Sequence, residues 1–392
     1  MKIGTPACRA ALVWVAVLTA VLLGTRFTQS VQAASSGVLT VVSDTVKAAD
    51  VALGDINHDG CPDLAVATTN NEGILLFAGD RSRTWAPLAA TNLPTSRSYS
   101  AIALADLDRN DLLDIVASEA PSNAGALVVY IQGPRGVWTT ASGALPTSNC
   151  FATKIVLEDF NRDGMRDIAT AGPNGVWLIE RNTTPDLWGP IQHPQAPSGN
   201  HNSLAFFDWS GDGRPDLVAS CEDPGGGVRY WTQPAAGIWP RQPAPFPLRP
   251  FFALRTADIN HDGIPDVLAV HSNGLVIHSG APGFPEMDPG FVEPTVQPDF
   301  VVGNWPADVD LEAFSCNTTG LSVFTGQPGS TWQLDSSDTA VSSLKLRDMA
   351  DCDRDGAPDI AGFDVARQPC VYYNPPTSGS ILWLENSLPV SS

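Results

Sequence analysis

Positive charge is scarce in this chain. Lysine and arginine number 22 against 42 aspartates and glutamates, a formal net charge of −20, and that balance disfavours a polyanionic nucleic acid as a partner. Charged residues of both signs reach only 16% while apolar residues make up 43%, which excludes a solvated tail and suits a folded domain. Long amphipathic helical patterns are lacking, and beyond the N-terminus so is any apolar run long enough to span a bilayer. No G-x-S-x-G elbow, H-E-x-x-H zinc helix, P-loop or Rossmann glycine fingerprint occurs. What is plentiful is glycine (34) and proline (33). They punctuate short segments rich in Val, Ile, Leu and Trp, the pattern of an all-β protein.

At the N-terminus, Lys2 and Arg9 precede an apolar run from Ala10 to Leu23, and Val31-Gln32-Ala33 offers small residues for cleavage. Residues 1–33 therefore read as an export signal, and residues 34–392 as one domain. The apolar run is shorter than the roughly 20 residues that an uncleaved spanning helix needs, so no membrane insertion is expected once the signal is removed. The predicted location is outside the cytoplasm: secreted, extracellular, at the cell surface or in a periplasm. Losing Lys2, Arg9 and Arg26 with the signal takes the formal charge from −20 to −23.

The acid is not spread evenly. Asp55-Ile56-Asn57-His58-Asp59-Gly60-Cys61-Pro62-Asp63 returns in the same frame at Asp106–Asp114, Asp159–Asp167, Asp208–Asp216, Asp258–Asp266 and Asp351–Asp359, with a worn copy at Asn304–Asp310. The steps between successive first positions, Asn304 included, are 51, 53, 49, 50, 46 and 47 residues. Each step holds four short strands with turns, one blade of a propeller. Third-strand segments recur seven times, from Gly73–Phe77 to Ile381–Leu384. Fourth strands, opening near Trp85, Trp138, Trp188, Trp239, Phe284 and Trp332, recur only six times. The N-terminal segment Gly37–Val42 supplies the missing strand. The expected fold is an all-β seven-bladed β-propeller with four-stranded blades, its ring closed by the N-terminal strand joining the C-terminal blade. The recurring aromatics are expected to pack between blades.

Oxygen donors at alternating positions of a tight loop, with glycine at position six, suit a hard cation. Positions one, three, five and nine supply side chains and position seven a backbone carbonyl. The predicted Ca²⁺ ligands are Asp55, Asn57, Asp59, Cys61 and Asp63; Asp106, Asp108, Asn110, Leu112 and Asp114; Asp159, Asn161, Asp163, Met165 and Asp167; Asp208, Ser210, Asp212, Arg214 and Asp216; Asp258, Asn260, Asp262, Ile264 and Asp266; and Asp351, Asp353, Asp355, Ala357 and Asp359. Up to six ions are expected. Converging carboxylates at this spacing repel one another without a cation.

On these loops the chain resembles the FG-GAP, or VCBS, repeat family, whose propellers include the calcium-bearing head of integrin α subunits and many bacterial secreted proteins. The resemblance implies fold and calcium, and a role in adhesion, carbohydrate binding or polysaccharide cleavage. The leading expectation is a non-catalytic module that binds an extracellular glycan or protein, with structural calcium. The alternative is an extracellular lyase-like enzyme acting on polysaccharide.

Two further expectations concern single residues. In an oxidising compartment Cys61 and Cys352, Cys150 and Cys221, and Cys316 and Cys370 fall in neighbouring blades and are candidate disulfide pairs. A long connection from Ala366 to Ser380, on the face opposite the calcium loops, places Arg367, Tyr372 and Tyr373 as a candidate ligand site.

Overall fold

A computed structural model of the chain describes residues 38–374, apart from 121–124, 183–187, 197, 244–245, 247, 261, 272–273, 281–285, 288–298, 304–311, 317, 319, 328–330 and 339–340. The export segment, the worn loop at Asn304–Asp310, Phe284 and Ile381–Leu384 lie outside the described residues.

Seven four-stranded antiparallel sheets make up the domain. Blade one sets the pattern: Ala48–Gly54, Asp63–Thr68, Ile74–Gly79 and Trp85–Pro87 pair in that order. The inner strands of the seven blades are Ala48–Gly54, Ser98–Ala105, Lys154–Glu158, Leu204–Phe207, Ala253–Ala257, Asp299–Gly303 and Lys345–Ala350. Each touches the next and the last touches the first, so they form a closed ring about a central axis. Among the described residues the one helical element is a 3-10 turn at Pro134–Gly136, and no helix is long and apolar enough to cross a membrane.

Second strands such as Asp63–Thr68 and Asp216–Cys221 are buried along their whole length. They read as near-continuous runs of small and branched side chains because a neighbouring blade covers each face. Seven apolar clusters follow, each shared by two consecutive blades. Trp138 fills the gap between blades one and two, Trp188 that between two and three, and Trp239 that between three and four. These three aromatics thus act as inter-blade packing.

Blade seven corrects the expected layout. Its third strand is Pro369–Tyr373, not Ile381–Leu384. A four-residue turn, closed by Gln368 N donating to Asp364 Oδ1 at 2.8 Å and Arg367 N to Asp364 O at 2.9 Å, leads directly into it. Proline is tolerated here because it opens the strand. Val38–Val41 forms the outer strand, with Val38 opposite Tyr373 and Val41 opposite Cys370. Tyr372 and Tyr373 are therefore core residues, 5% and 1% exposed.

Candidate metal centres

All six acidic loops join an inner strand to a second strand, so they gather on one face of the ring. A common set of hydrogen bonds recurs in every copy. The position-nine aspartates, Asp63, Asp114, Asp167, Asp216, Asp266 and Asp359, are fully buried. One oxygen of each accepts an N–H from the end of the third strand or just beyond it, as Gly79 N to Asp63 Oδ1 at 3.1 Å and Asn374 N to Asp359 Oδ1 at 3.0 Å. The other accepts from the start of the loop, as Ile56 N to Asp63 Oδ2 at 2.9 Å and Cys352 N to Asp359 Oδ2 at 2.8 Å. Position nine thereby ties three strands of a blade together.

Position one accepts the N–H of position six: Gly60 N reaches Asp55 Oδ2 at 2.9 Å, and Gly263 N reaches Asp258 Oδ2 at 2.9 Å. Position five accepts the N–H of position seven, as Met165 N to Asp163 Oδ1 at 2.8 Å. Reversal at position six requires a left-handed backbone, φ +82° at Gly60 and +94° at Gly356. Asp111 adopts it at φ 65° in the second loop, where glycine is replaced.

Carboxylate oxygens converge on one point in two loops: those of Asp106, Asp108 and Asp114, and those of Asp351, Asp353 and Asp359, lie within 4.8 Å of one another. Burial pushes Asp63 and Asp114 up to about 6 and Asp167 and Asp359 up to about 8; the charge of Asp353 adds to the effect at Asp359. Asp55 Oδ1 and Asp351 Oδ1 are buried and accept no hydrogen bond. Orphaned carboxylate oxygens among other carboxylates fit a cation, because an unsatisfied buried acceptor is costly and a hard ion supplies what no donor does.

Three features of this face were not anticipated. Position four is also left-handed, at φ 63° in Arg109, 61° in Arg162 and 60° in Arg354. Arg109 donates to the Gly164 carbonyl of the next loop, Arg354 lies against Gly60 and Arg162 against Gly213. Each arm runs from one loop to position six of the following one. His58, in the same position, is exposed. Finally, Arg83 of blade one enters the blade-seven loop, its Nε 2.6 Å from Asp353 Oδ2 and its Nη2 3.3 Å from Asp355 Oδ2. Arginine at position four in three of the six loops was the visible signal.

The remaining candidates are not brought together. The six described cysteines are buried and none forms a disulfide. Cys150 Sγ lies 3.5 Å from Thr170 Oγ1, Cys221 Sγ is 3.7 Å from Asp223 Oδ2, Cys316 Sγ accepts from Leu344 N at 3.3 Å and Cys370 Sγ faces Gln368 O at 3.1 Å. Cys352 Sγ faces Ala350 O at 3.5 Å, and Cys61 is position seven of its own loop. The candidate disulfides are thus thiols, each seated within its own blade or blade junction. Arg367 is exposed in the turn, while Tyr372 and Tyr373 point into the core. Tyr373 Oη accepts from Trp85 Nε1 at 3.0 Å. The three do not form a surface site.

On the face opposite the loops, a cavity of about 410 Å³ opens on blade four, lined by Gln195, Val228, Arg241, Gln242, Phe246 and Leu248 among others. Leu248 is 77% exposed.

Ring, blade pairing and loop geometry define a β-propeller whose strand-to-strand hairpins carry a repeated acidic loop. A family model, the FG-GAP-like repeat, matches residues 55–117, 159–219 and 208–269. The chain is an FG-GAP-repeat β-propeller. No curated protein matches it. Among solved structures it is similar to a chain of a humanized mutant of the Chaetomium thermophilum Polycomb Repressive Complex 2, at 9% identity and TM-score 0.56, covering 88% of this chain and 99% of that one. It is also similar to an Agrocybe aegerita lectin, described for specific recognition of non-reducing terminal N-acetylglucosamine, at 15% identity and TM-score 0.50, covering 80% of this chain and 88% of that one. A Bacillus licheniformis rhamnogalacturonan lyase is similar at 13% identity and TM-score 0.47, covering 86% of this chain and 73% of that one. At these identities the likeness is one of fold.

Proposed function

We propose that this propeller is a calcium-bound, non-catalytic binding module that works outside the cytoplasm on a glycan or protein ligand. The observation that carries the reading is the pair of orphaned oxygens, Asp55 Oδ1 and Asp351 Oδ1, inside a loop repeated in register. Positions one, three, five and nine would hold the ion, with the carbonyl of position seven completing the set. Bound calcium supplies charge neutralisation where the carboxylates converge. The chain's own residues set the loop geometry through the shared backbone hydrogen bonds.

Within this reading the ligand belongs at the blade-four cavity. There Arg241 carries a guanidinium with no ion pair among the described residues, beside the amide of Gln195 and the apolar faces of Phe246 and Leu248. Such a mix suits a sugar or peptide bearing a carboxylate.

The test has two arms. Metal analysis and melting of the exported chain, with EDTA and after Ca²⁺ is restored, should show bound calcium and a reversible loss of melting temperature. A glycan array with and without chelator should show binding that Arg241→Ala weakens. No bound calcium and an unchanged melting curve would remove the metal reading, and turnover of an acidic polysaccharide on the array would replace the module with a lyase.

A further inference from the structure

Three exposed arginines connect the acidic loops to one another. Position four is Arg109 in the blade-two loop, Arg162 in the blade-three loop and Arg354 in the blade-seven loop. Each guanidinium fills the place that a side chain at position six of the following loop would take: Arg109 at Gly164, Arg162 at Gly213 and Arg354 at Gly60. Every arm therefore ends on a glycine. The one position six that carries a side chain, Asp111, follows a loop with His58 in place of arginine. In the blade-four loop position four is Gly211, and the corresponding place beside Gly263 of blade five is open among the described residues.

Position six is where an arm can act on a carboxylate of the next loop. Arg109 donates to the Gly164 carbonyl. The N–H of that same peptide unit belongs to Met165 and donates to Asp163 Oδ1 at 2.8 Å. A charged donor on a carbonyl polarises its peptide and strengthens the bond made by the N–H on the other side. The arm from blade two thus steadies the position-five aspartate of blade three. The equivalent N–H holds position five in the other two receiving loops, Cys61 N to Asp59 Oδ1 at 2.8 Å and Arg214 N to Asp212 Oδ1 at 2.9 Å. Asp59 is kept below the usual carboxylate range first by that N–H and further by the charge of Arg354.

We propose that Arg109, Arg162 and Arg354 are positioning residues for the loop that follows each of them. They link the loops of blades two, three and four into one group and those of blades seven and one into a pair, with the blade-five loop outside both. The consequence for calcium rests on the metal reading above: an ion that orders one loop also orders the arm leaving it, and so favours an ion in the next.

The experiment follows amide hydrogen exchange in the exported chain, in EDTA and again in calcium. In EDTA, Arg109→Gln should speed exchange in residues 159–167 by about two- to fivefold and leave residues 55–63 and 258–266 unchanged. Arg354→Gln should act on residues 55–63 and leave 159–167 unchanged. Arg109→Lys, which keeps the charge and a donor, should restore part of the protection. In calcium, Asp108→Asn, which removes a ligand of the blade-two loop, should loosen residues 159–167 when Arg109 is present and have no further effect on them in Arg109→Gln. Unchanged exchange in the following loop, or an equal change in a loop that receives no arm, would overturn the proposal. Stronger calcium protection of residues 159–167 in Arg109→Gln would mark the arm as a repelling charge and overturn it as well. Faster exchange there in EDTA, with no calcium taken up by the unaltered chain, would uphold the arms and remove the metal reading.

Discussion

Arg83 Nε of blade one lies 2.6 Å from Asp353 Oδ2 of blade seven, and the same guanidinium stacks 5.0 Å from the centre of the Tyr373 ring. The pair bridges blades seven and one, the junction at which the ring closes. It also puts a positive charge into the one loop with a carboxylate at each of positions one, three, five and nine, so Arg83 and a bound cation would serve the same acids. Asp353 is 4% exposed and Arg83 33%, which places the pair between a surface and a buried ion pair.

Arg83→Gln should therefore destabilise the EDTA-treated protein by about 1–2 kcal/mol, and the calcium-loaded protein by less. Urea unfolding of both forms measures the difference. An equal loss with and without calcium would mean that the arginine and the ion act on separate groups.

Metal-free stability should depend on pH with a definite sign. The folded pKa values of Asp167 and Asp359 are raised to about 8 by burial, above the ~3.9 of an unfolded aspartate. The folded state thus binds the extra protons, and the stability they confer is full below about pH 4 and is lost as pH rises towards 8. EDTA-treated protein should melt lower at pH 8 than at pH 5.5, and the increment from calcium should grow over the same interval. A calcium increment independent of pH would contradict this.

Tyr373→Ala should behave as a core truncation. Its ring is buried between blades seven and one and its hydroxyl accepts from Trp85, so a loss of about 3–5 kcal/mol is expected. Tyr373→Phe, which keeps the ring and loses only that hydrogen bond, should cost about 1 kcal/mol. Denaturant midpoints of the two variants decide it, and a stable Ala variant would return Tyr373 to the list of surface residues.

The acidic loops were legible because each is closed by contacts no more than eight residues apart in sequence. A local spacing of aspartates and glycine is sufficient to set them. Blade seven was misread for the opposite reason. Pro369 opens its third strand without a glycine to mark the turn, and the apolar stretch Ile381–Leu384 offered a more conventional strand pattern. The error moved Tyr372 and Tyr373 from core to surface and put a candidate ligand site on two buried side chains. The ion pair between Asp50 and Arg347 was not legible at all: the two are far apart in sequence, and only ring closure brings them together. The cysteines show the limit of blade arithmetic: neighbouring blades do not ensure that two thiols face each other.

The seven apolar clusters lie between blades, and no sheet has a core of its own. Cutting the ring at any boundary would strip a whole hydrophobic face from each blade at the cut. Stable single-blade or half-ring fragments are therefore not expected from limited proteolysis, and a chain synthesised from its N-terminus must keep the outward faces of its first blades uncovered until the seventh has been made.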